Sequence, residues 1–332
     1  MEGKKKPILL AALVAAAAAG FLVYELGGSK RPAQDVFVVL RGENVLEIAS
    51  NLKAEGYVKS KGIFLFETAV SGNFKKLKAG TYDLKNQNDF GIIKKLSRGQ
   101  TVPVAFTVIP GWSVNDIAKN LEARKIIPKK DFMDAVLREI PIAVREEFGF
   151  LDDAPAAAGF EGYLFPDTYY IAAHPLPEDI IRQMLENFSK KLTPEVQTKI
   201  EKQDKKIFDI MVMASLLEKE VRTKEDKKIV SGILWKRVDK GWPLQVDSTL
   251  LYFLTSDRPS TENKNIDSPY NTYRYNGLPK GPICNPGIES IEAAADPVAS
   301  DYFFYLSARD GRTVFSKTYA EHLVNVAKYL NN

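Results

Sequence analysis

The feature that most limits how this 332-residue chain can fold is an internal repeat. The stretch "VFVVLRGENVLEIASNLKAEGYVKSKG" from Val36 aligns with "AFTVIPGWSVNDIAKNLEARKIIPKKD" from Ala105 at a constant offset of 69 residues. Identical pairs fall at Phe37/Phe106, Val39/Val108, Gly42/Gly111, Val45/Val114, Ile48/Ile117, Ala49/Ala118, Asn51/Asn120, Leu52/Leu121, Ala54/Ala123 and Lys61/Lys130. Each copy reads as a strand, a glycine turn and a helix whose apolar residues recur every three or four positions. A second helix follows, "GIFLFETAV" in one copy and "DFMDAVL" in the other. Such a unit cannot bury both of its faces alone, so the copies are expected to share a small sheet. The segment between them, "LKAGTYDLKNQNDFGIIKKLSRGQ", supplies a further strand and helix.

With copies near 36–75 and 105–140, the repeat resembles a LysM-like module, a small βααβ unit. That resemblance implies glycan binding. The alternative is a spacer, since the copies show no obvious row of exposed aromatics. The region is expected to span 28–158, after the linker "GGSKRPAQ" and up to a boundary near the Pro/Ala-rich break "LDDAPAAAG" at Leu151–Gly159.

Before the repeat, "KKK" at Lys4–Lys6 precedes an uncharged run of 17 residues, Ile8 to Tyr24. As a helix this run is about 25 Å long, close to the lower limit for crossing a bilayer. Its basic flank places the N-terminus in the cytoplasm and the rest of the chain outside. The apolar run continues through Phe21, Leu22 and Val23 beyond its alanines, which favours an uncleaved anchor over a cleaved signal peptide. Residues 1–27 are therefore expected to form a cytoplasmic stub and a single transmembrane helix, with the body exported from the cytoplasmic (inner) membrane.

Composition narrows the chemistry of that body. A net charge of +4 is too small to argue for nucleic acid, and no nucleic-acid-binding signature accompanies it. One cysteine, Cys284, rules out intrachain disulfides. Two histidines, His174 and His322, with no second Cys or His at ligand spacing, argue against a structural zinc site. There is no G-x-S-x-G elbow, no S-x-x-K at Ser215, no phosphate-binding Walker loop and no G-x-G-x-x-G.

From 159 to 332 a mixed helical/β domain is expected. Helical patterns lie at about 177–202, 204–222 and 225–240, a loop at about 257–288, a hairpin around Asp310–Gly311, and a last helix from Lys317 to Leu330. Within the second pattern lies "MASLLEKEVR", Met213 to Arg222. At 100° per residue Ile210, Ala214, Leu217 and Val221 form an apolar stripe with Glu218 at its edge. Ser215, Lys219 and Arg222 form the polar side, and Glu220 falls on the opposite apolar flank between Leu216 and Met213. An apolar setting raises a carboxyl pKa, as a general acid near neutral pH requires. Periodicity does not choose between Glu218 and Glu220, and each could instead be held structurally by a buried cation. Further on, Gln245, Asp247 and Thr249 of "QVDST" lie on one face if that segment is extended. Tyr270, Asn271 and Tyr273 sit in a Pro/Gly-rich loop whose aromatic faces and amides suit a carbohydrate. A loop of that length in a compact domain is uncommon unless it is functional.

The blocks "EGYLFPDTY", "ASLLEKEV", "LQVDSTLLY", "SPYNTYRYNGLPKGPICNPGIESIEAAADP" and "YFFYLSARDGRTVFSKTYAEH" occur in this order. Together with the anchor and the LysM-like units, they make the chain resemble the endolytic murein transglycosylases of the MltG (YceG-like) family. The resemblance implies cleavage of the MurNAc–GlcNAc β-1,4 bond in peptidoglycan glycan strands with formation of 1,6-anhydroMurNAc ends. It places the family's catalytic glutamate on Glu218. It implies supporting or substrate-binding roles for Glu220, Gln245, Asp247, Tyr270, Asn271, Tyr273 and Glu161. Glu220 would orient Glu218 or pair with a cation, and Glu161 would brace the site. No metal or other cofactor is implied, and peptidoglycan synthases are the expected protein partners. Two positions depart from the family pattern: Ser248 follows Asp247 where proline is common, and Leu323 follows His322 where asparagine is. The competing reading is a non-catalytic peptidoglycan-binding scaffold that positions synthases. A membrane-anchored peptidase lacks a nucleophile or metal set.

Overall fold

The computed structural model describes residues 36–40, 42–171, 175–254 and 263–330, so the segment 8–24 lies outside the described residues. Among those described, no helix is long and apolar enough to cross a membrane. The described chain is mixed α+β, with helices outnumbering three two-stranded sheets. It forms two compact units: one holds the described residues up to Ala105 and the end of the fourth strand, the other Phe106–Tyr169 and the described residues from Pro175 onward.

In the first unit, β1 (Val36–Val39) pairs antiparallel with β2 (Gly80–Asp83), with Phe37 opposite Tyr82. The two-residue period of β1 turns Phe37 and Val39 inward. Helix α1 (Val45–Ala54) adds Ile48, Ala49 and Leu52, α2 (Lys61–Val70) adds Phe64, and α3 (Asp89–Arg98) adds Ile92, Ile93 and Leu96 to one apolar core. Each of the Ile, Leu and Phe side chains contributes roughly 1.5–3 kcal/mol by leaving water. The Tyr57 hydroxyl closes the edge of the ribbon by donating to the Val36 carbonyl at 2.8 Å.

The second copy opens with β3 (Val104–Thr107), which pairs with β4 (Thr168–Ile171) and not with β1. The shared sheet expected from the repeat is therefore not formed. The reason is core membership: β1 is buried with β2, whereas Phe106 and Val108 are buried in the second unit. The division between the two compact units falls at Ala105/Phe106, so the second copy from Phe106 onward lies in the second unit. The Pro/Ala-rich break is itself packed. Leu151 is buried, and the Arg145 guanidinium donates to the carbonyls of Leu151, Ala154 and Pro155.

The helices of this unit run α4 (Val114–Ala123), α5 (Lys129–Val136), α6 (Ile142–Glu147), α7 (Pro177–Lys191), α8 (Pro194–Lys202), α9 (Ile207–Glu220), α10 (Lys224–Asp239), α11 (Asp247–Phe253), α12 (Ile288–Ala295) and α13 (Tyr319–Tyr329). The single helical pattern at 177–202 is cut in two at Thr193, whose hydroxyl caps a helix with Pro194 at its first position. The hairpin expected around Asp310–Gly311 forms, with β5 (Phe304–Ser307) antiparallel to β6 (Thr313–Ser316). At the centre lies α9, buried continuously from Ile210 to Leu217. A helix apolar on all sides must be wrapped by neighbours. It packs against α10, α11 and α12, and the alanines at 293–295 let α12 come close.

Candidate active site

Glu218 lies in the last turn of α9, where the helix leaves the core. Its Oε2 accepts from the Gly287 amide at 2.9 Å and from the Ser290 hydroxyl at 2.7 Å. Gly287 is the N-cap of α12 and Ser290 lies in its first turn, so the carboxylate sits at a helix N-terminus, where unpaired amides favour an anion. The buried Lys227 of α10 adds its ammonium 3.6 Å from the same oxygen. All three donors converge on Oε2, and Oε1 has no such partner among the described residues. The setting expected for Glu218 was apolar; the structure makes it polar on one oxygen. Neither Lys227 nor Ser290 carries a signal in the periodicity of α9, because both arrive from other helices.

The wall beside Glu218 comes from the turn of the second repeat copy. Gly111 has φ +87°, and a Cβ there would meet the Glu218 Cγ at 3.7 Å and the Lys219 Nζ at 3.8 Å. A Cβ on Gly287 would lie 3.4 Å from Pro110 and 3.5 Å from Glu218 Oε2. The turn is joined to the 284–287 segment by two backbone bonds, Gly111 N–H to the Asn285 carbonyl at 2.9 Å and Asn285 N–H to the Trp112 carbonyl at 2.8 Å. Ser215, expected on the polar side of α9, is fully buried. Its hydroxyl donates to the Val212 carbonyl at 2.7 Å and accepts from the Ile283 amide at 3.0 Å, holding the same segment from beneath.

Glu161 is 5% exposed and lies behind that turn. Both of its carboxyl oxygens accept from the Val114 amide at 3.1 Å, at the start of α4. Oε1 also accepts from the Asn285 side-chain amide and Oε2 from the Tyr252 hydroxyl, each at 3.1 Å. Burial pushes its pKa up to about 8; the Val114 amide and the Tyr252 hydroxyl oppose that rise. The ring of Tyr252 in turn lies 4.9 Å from that of Tyr270. Neither Asn285 nor Tyr252 is singled out by spacing, although both lie within the ordered blocks.

Glu220 faces elsewhere. Its neighbours are Ser248 and Asp247. Burial pushes its carboxyl up, the Ser248 hydroxyl and amide pull it back, and the charge on Asp247 pushes it up again. The Tyr273 hydroxyl donates to Asp247, whose own side chain is exposed. The "QVDST" segment is not extended. Gln245 adopts φ +55°, Asp247 starts α11, and Thr249 is buried with its hydroxyl on the Val246 carbonyl at 2.7 Å. Gln245 and Asp247 are exposed while Thr249 braces, so the three do not share one face. Asn271 is also a brace. It is 1% exposed, and its amide donates to the Lys264 and Ile266 carbonyls at 3.0 and 2.8 Å. Tyr270 and Tyr273 are half-buried.

A polar corner built by a repeat turn, the end of a buried helix and an Asn-Pro-Gly segment has relatives. A family model described as YceG-like matches residues 37–328. The chain belongs to the YceG-like family. It is 32% identical over 305 residues to a protein of Bacillus subtilis named endolytic murein transglycosylase, covering 88% of this chain and 83% of that one. A Streptococcus pneumoniae protein of the same name is 29% identical over 322 residues, covering 88% of this chain but 57% of the longer relative. The crystal structure of a yceG-like protein of Listeria monocytogenes superposes with a TM-score of 0.63 at 29% identity, covering 87% of this chain and 97% of that one. The YceG-like match includes both repeat copies, so the turn beside Glu218 lies within the matched region.

Proposed function

We propose that this YceG-like protein is an endolytic peptidoglycan lytic transglycosylase with Glu218 as its acid and base. The observation that carries this reading is the asymmetry of Glu218, with Oε2 engaged by Gly287, Ser290 and Lys227 and Oε1 without such a partner among the described residues. Support comes from the family and from relatives named for that activity.

The chemistry uses one carboxyl group. Glu218, protonated on Oε1, donates that proton to the glycosidic oxygen as the C1–O bond breaks. The C6 hydroxyl of the same MurNAc attacks C1, its proton returns to Oε1, and a 1,6-anhydro ring closes. Nothing is consumed beyond the strand. A hydrolase of the common two-carboxylate kind would need a second group to serve a water. Tyr270, Tyr273, Asp247 and Gln245 are the proposed glycan contacts, with Asn271, Glu161 and Glu220 as supports.

The finer reading concerns location. Residues 8–24 anchor the chain as a single pass in the cytoplasmic membrane with the catalytic domain outside. The βααβ unit near 36–75 acts as a LysM-like glycan contact or spacer, and synthases of nascent strands are the partners such an anchor would meet.

The test is to incubate the chain and its Glu218→Gln variant with uncrosslinked glycan strands and to read the products by mass spectrometry. Anhydro-ended fragments from the parent and none from the variant are expected. Reducing ends would replace transglycosylation with hydrolysis and direct the search to Asp247. Intact binding without cleavage by the parent would favour the scaffold.

A further inference from the structure

We propose that Asn285, latched to Glu161, is a positioning residue that fixes the geometry of Glu218 for bond cleavage; this rests on the reading of Glu218 as the acid. Asn285 is fully buried and uses every polar atom it has. Its backbone joins the Gly111–Trp112 turn, as described above. Its side-chain nitrogen donates to the Trp112 carbonyl at 3.0 Å and to Glu161 Oε1 at 3.1 Å. Its side-chain oxygen accepts from the amides of Gly162 at 3.0 Å and Leu164 at 2.9 Å. One residue thus pins three segments that are far apart in sequence: the repeat turn, the 161–164 block and the 284–287 segment that carries it.

The pattern demands a primary amide. Two donors and a doubly accepting oxygen are needed in one planar group of this size, and aspartate or leucine cannot supply them. Two residues after Asn285, with Pro286 stiffening the link, the Gly287 amide meets Glu218 Oε2. Asn285 acts through this amide. Glu161 completes the latch by taking the Asn285 donor, and its bond to Tyr252, whose ring lies 4.9 Å from that of Tyr270 at a tilt of 48°, ties in the aromatic loop as well. A reactive group displaced by about 1 Å loses on the order of 100-fold in rate. Buried groups left unpaired would force such a shift at this position.

The test compares the full chain with Asn285→Asp and with the pair Asn285→Asp plus Glu161→Gln. Assayed above pH 8, where Glu161 carries its charge, the first substitution keeps shape and both accepting contacts but sets oxygen against the Trp112 carbonyl and Glu161. The second returns an N–H donor across that gap. Turnover and KM are measured on uncrosslinked glycan strands, together with hydrogen exchange of the 284–290 backbone. For Asn285→Asp the expected result is kcat lowered about 100-fold with KM within about threefold, and faster exchange at 284–290. The pair should recover kcat at least about tenfold and slow the exchange again. A folded Asn285→Asp with kcat within about threefold of the parent overturns the proposal, as does a pair no better than the single variant. If Asn285→Asp does not fold, recovery of the fold by Glu161→Gln supports the latch and its absence overturns it. If even the parent cleaves nothing, the functional reading fails by itself. Exchange then decides the latch: unchanged protection in Asn285→Asp overturns it, and loss reversed by the second substitution sustains it.

Discussion

The two copies of the repeat share a frame and differ in what their turns face. In both, the residue after the turn glycine donates back three residues, Glu43 to Leu40 at 3.3 Å and Trp112 to Ile109 at 3.1 Å. In both, the helix is opened by a reciprocal capping box, Asn44 with Glu47 and Ser113 with Asp116. The glycines share a φ of +87°, yet a Cβ on Gly42 would meet nothing within 4 Å whereas one on Gly111 would touch Glu218. The first turn borders an open groove of about 600 Å³ and is closed on itself by Glu43, which accepts from Leu40 and Asn51. In the second, Trp112 replaces Glu43 and the carbonyl at that position is given to Asn285. One strand–turn–helix frame therefore serves two ends: as a self-contained surface and as one wall of the corner that holds Glu218. The ten identities lie mostly in the buried stripe and the glycine; the departures at the turn carry the difference.

Substituting the two glycines is the strongest way to break this comparison. Gly111→Val should lower kcat about 100-fold, because a branched side chain there presses on Glu218. Gly42→Val should keep kcat on short soluble strands within about twofold. Both should lose roughly 1–2 kcal/mol of stability to the left-handed backbone, read as melting temperature. Equal losses of activity would mean that the second turn has no special tie to the site.

The second contrast is in pH. Glu161 has its folded pKa raised to about 8, so between the unfolded carboxyl range near 4.5 and that value the folded state holds the extra proton. Stability from this group is therefore lost as pH rises through the window, by up to about 1.4 kcal/mol per pH unit. Melting curves from pH 6 to 9 should fall more steeply for the parent than for Glu161→Gln; parallel curves would remove Glu161 from the account. Ser290→Ala deletes one of three donors to Glu218 and should lower kcat about tenfold with little change in KM. An unchanged kcat would leave Gly287 and Lys227 as sufficient. The smallest effect is shared by the copies: Asn44→Ala and Ser113→Ala should each cost about 1 kcal/mol in thermal unfolding. A much larger loss for Ser113→Ala would show that its cap is coupled to the site.

Much of this was legible in the residues, though unevenly. The repeat's helices, their apolar stripes and the terminal hairpin follow from local period and turn chemistry, and they form. The sheet partners do not follow, because pairing depends on which core buries Phe37 and which buries Phe106. Glu218 could be singled out by resemblance but not by period, and its polar surroundings arrive from Lys227, Gly287 and Ser290 on elements no period connects. Thr249 and Asn271 looked like ligand contacts because their chemistry suits one; folding spends that chemistry on loop carbonyls instead. Asn285 is illegible in the sequence for the converse reason: a single amide among prolines and glycines gives no period, and its six bonds exist only once three distant segments meet.

On the proposed reading, Glu218 is reagent, cap and counter-charge at once. When it takes up the proton it must later deliver, the first turn of α12 loses its anion and the ammonium of Lys227 loses its partner. Chemical state and local stiffness are then a single variable: the corner is firmest when the group is spent and slackest when it is armed.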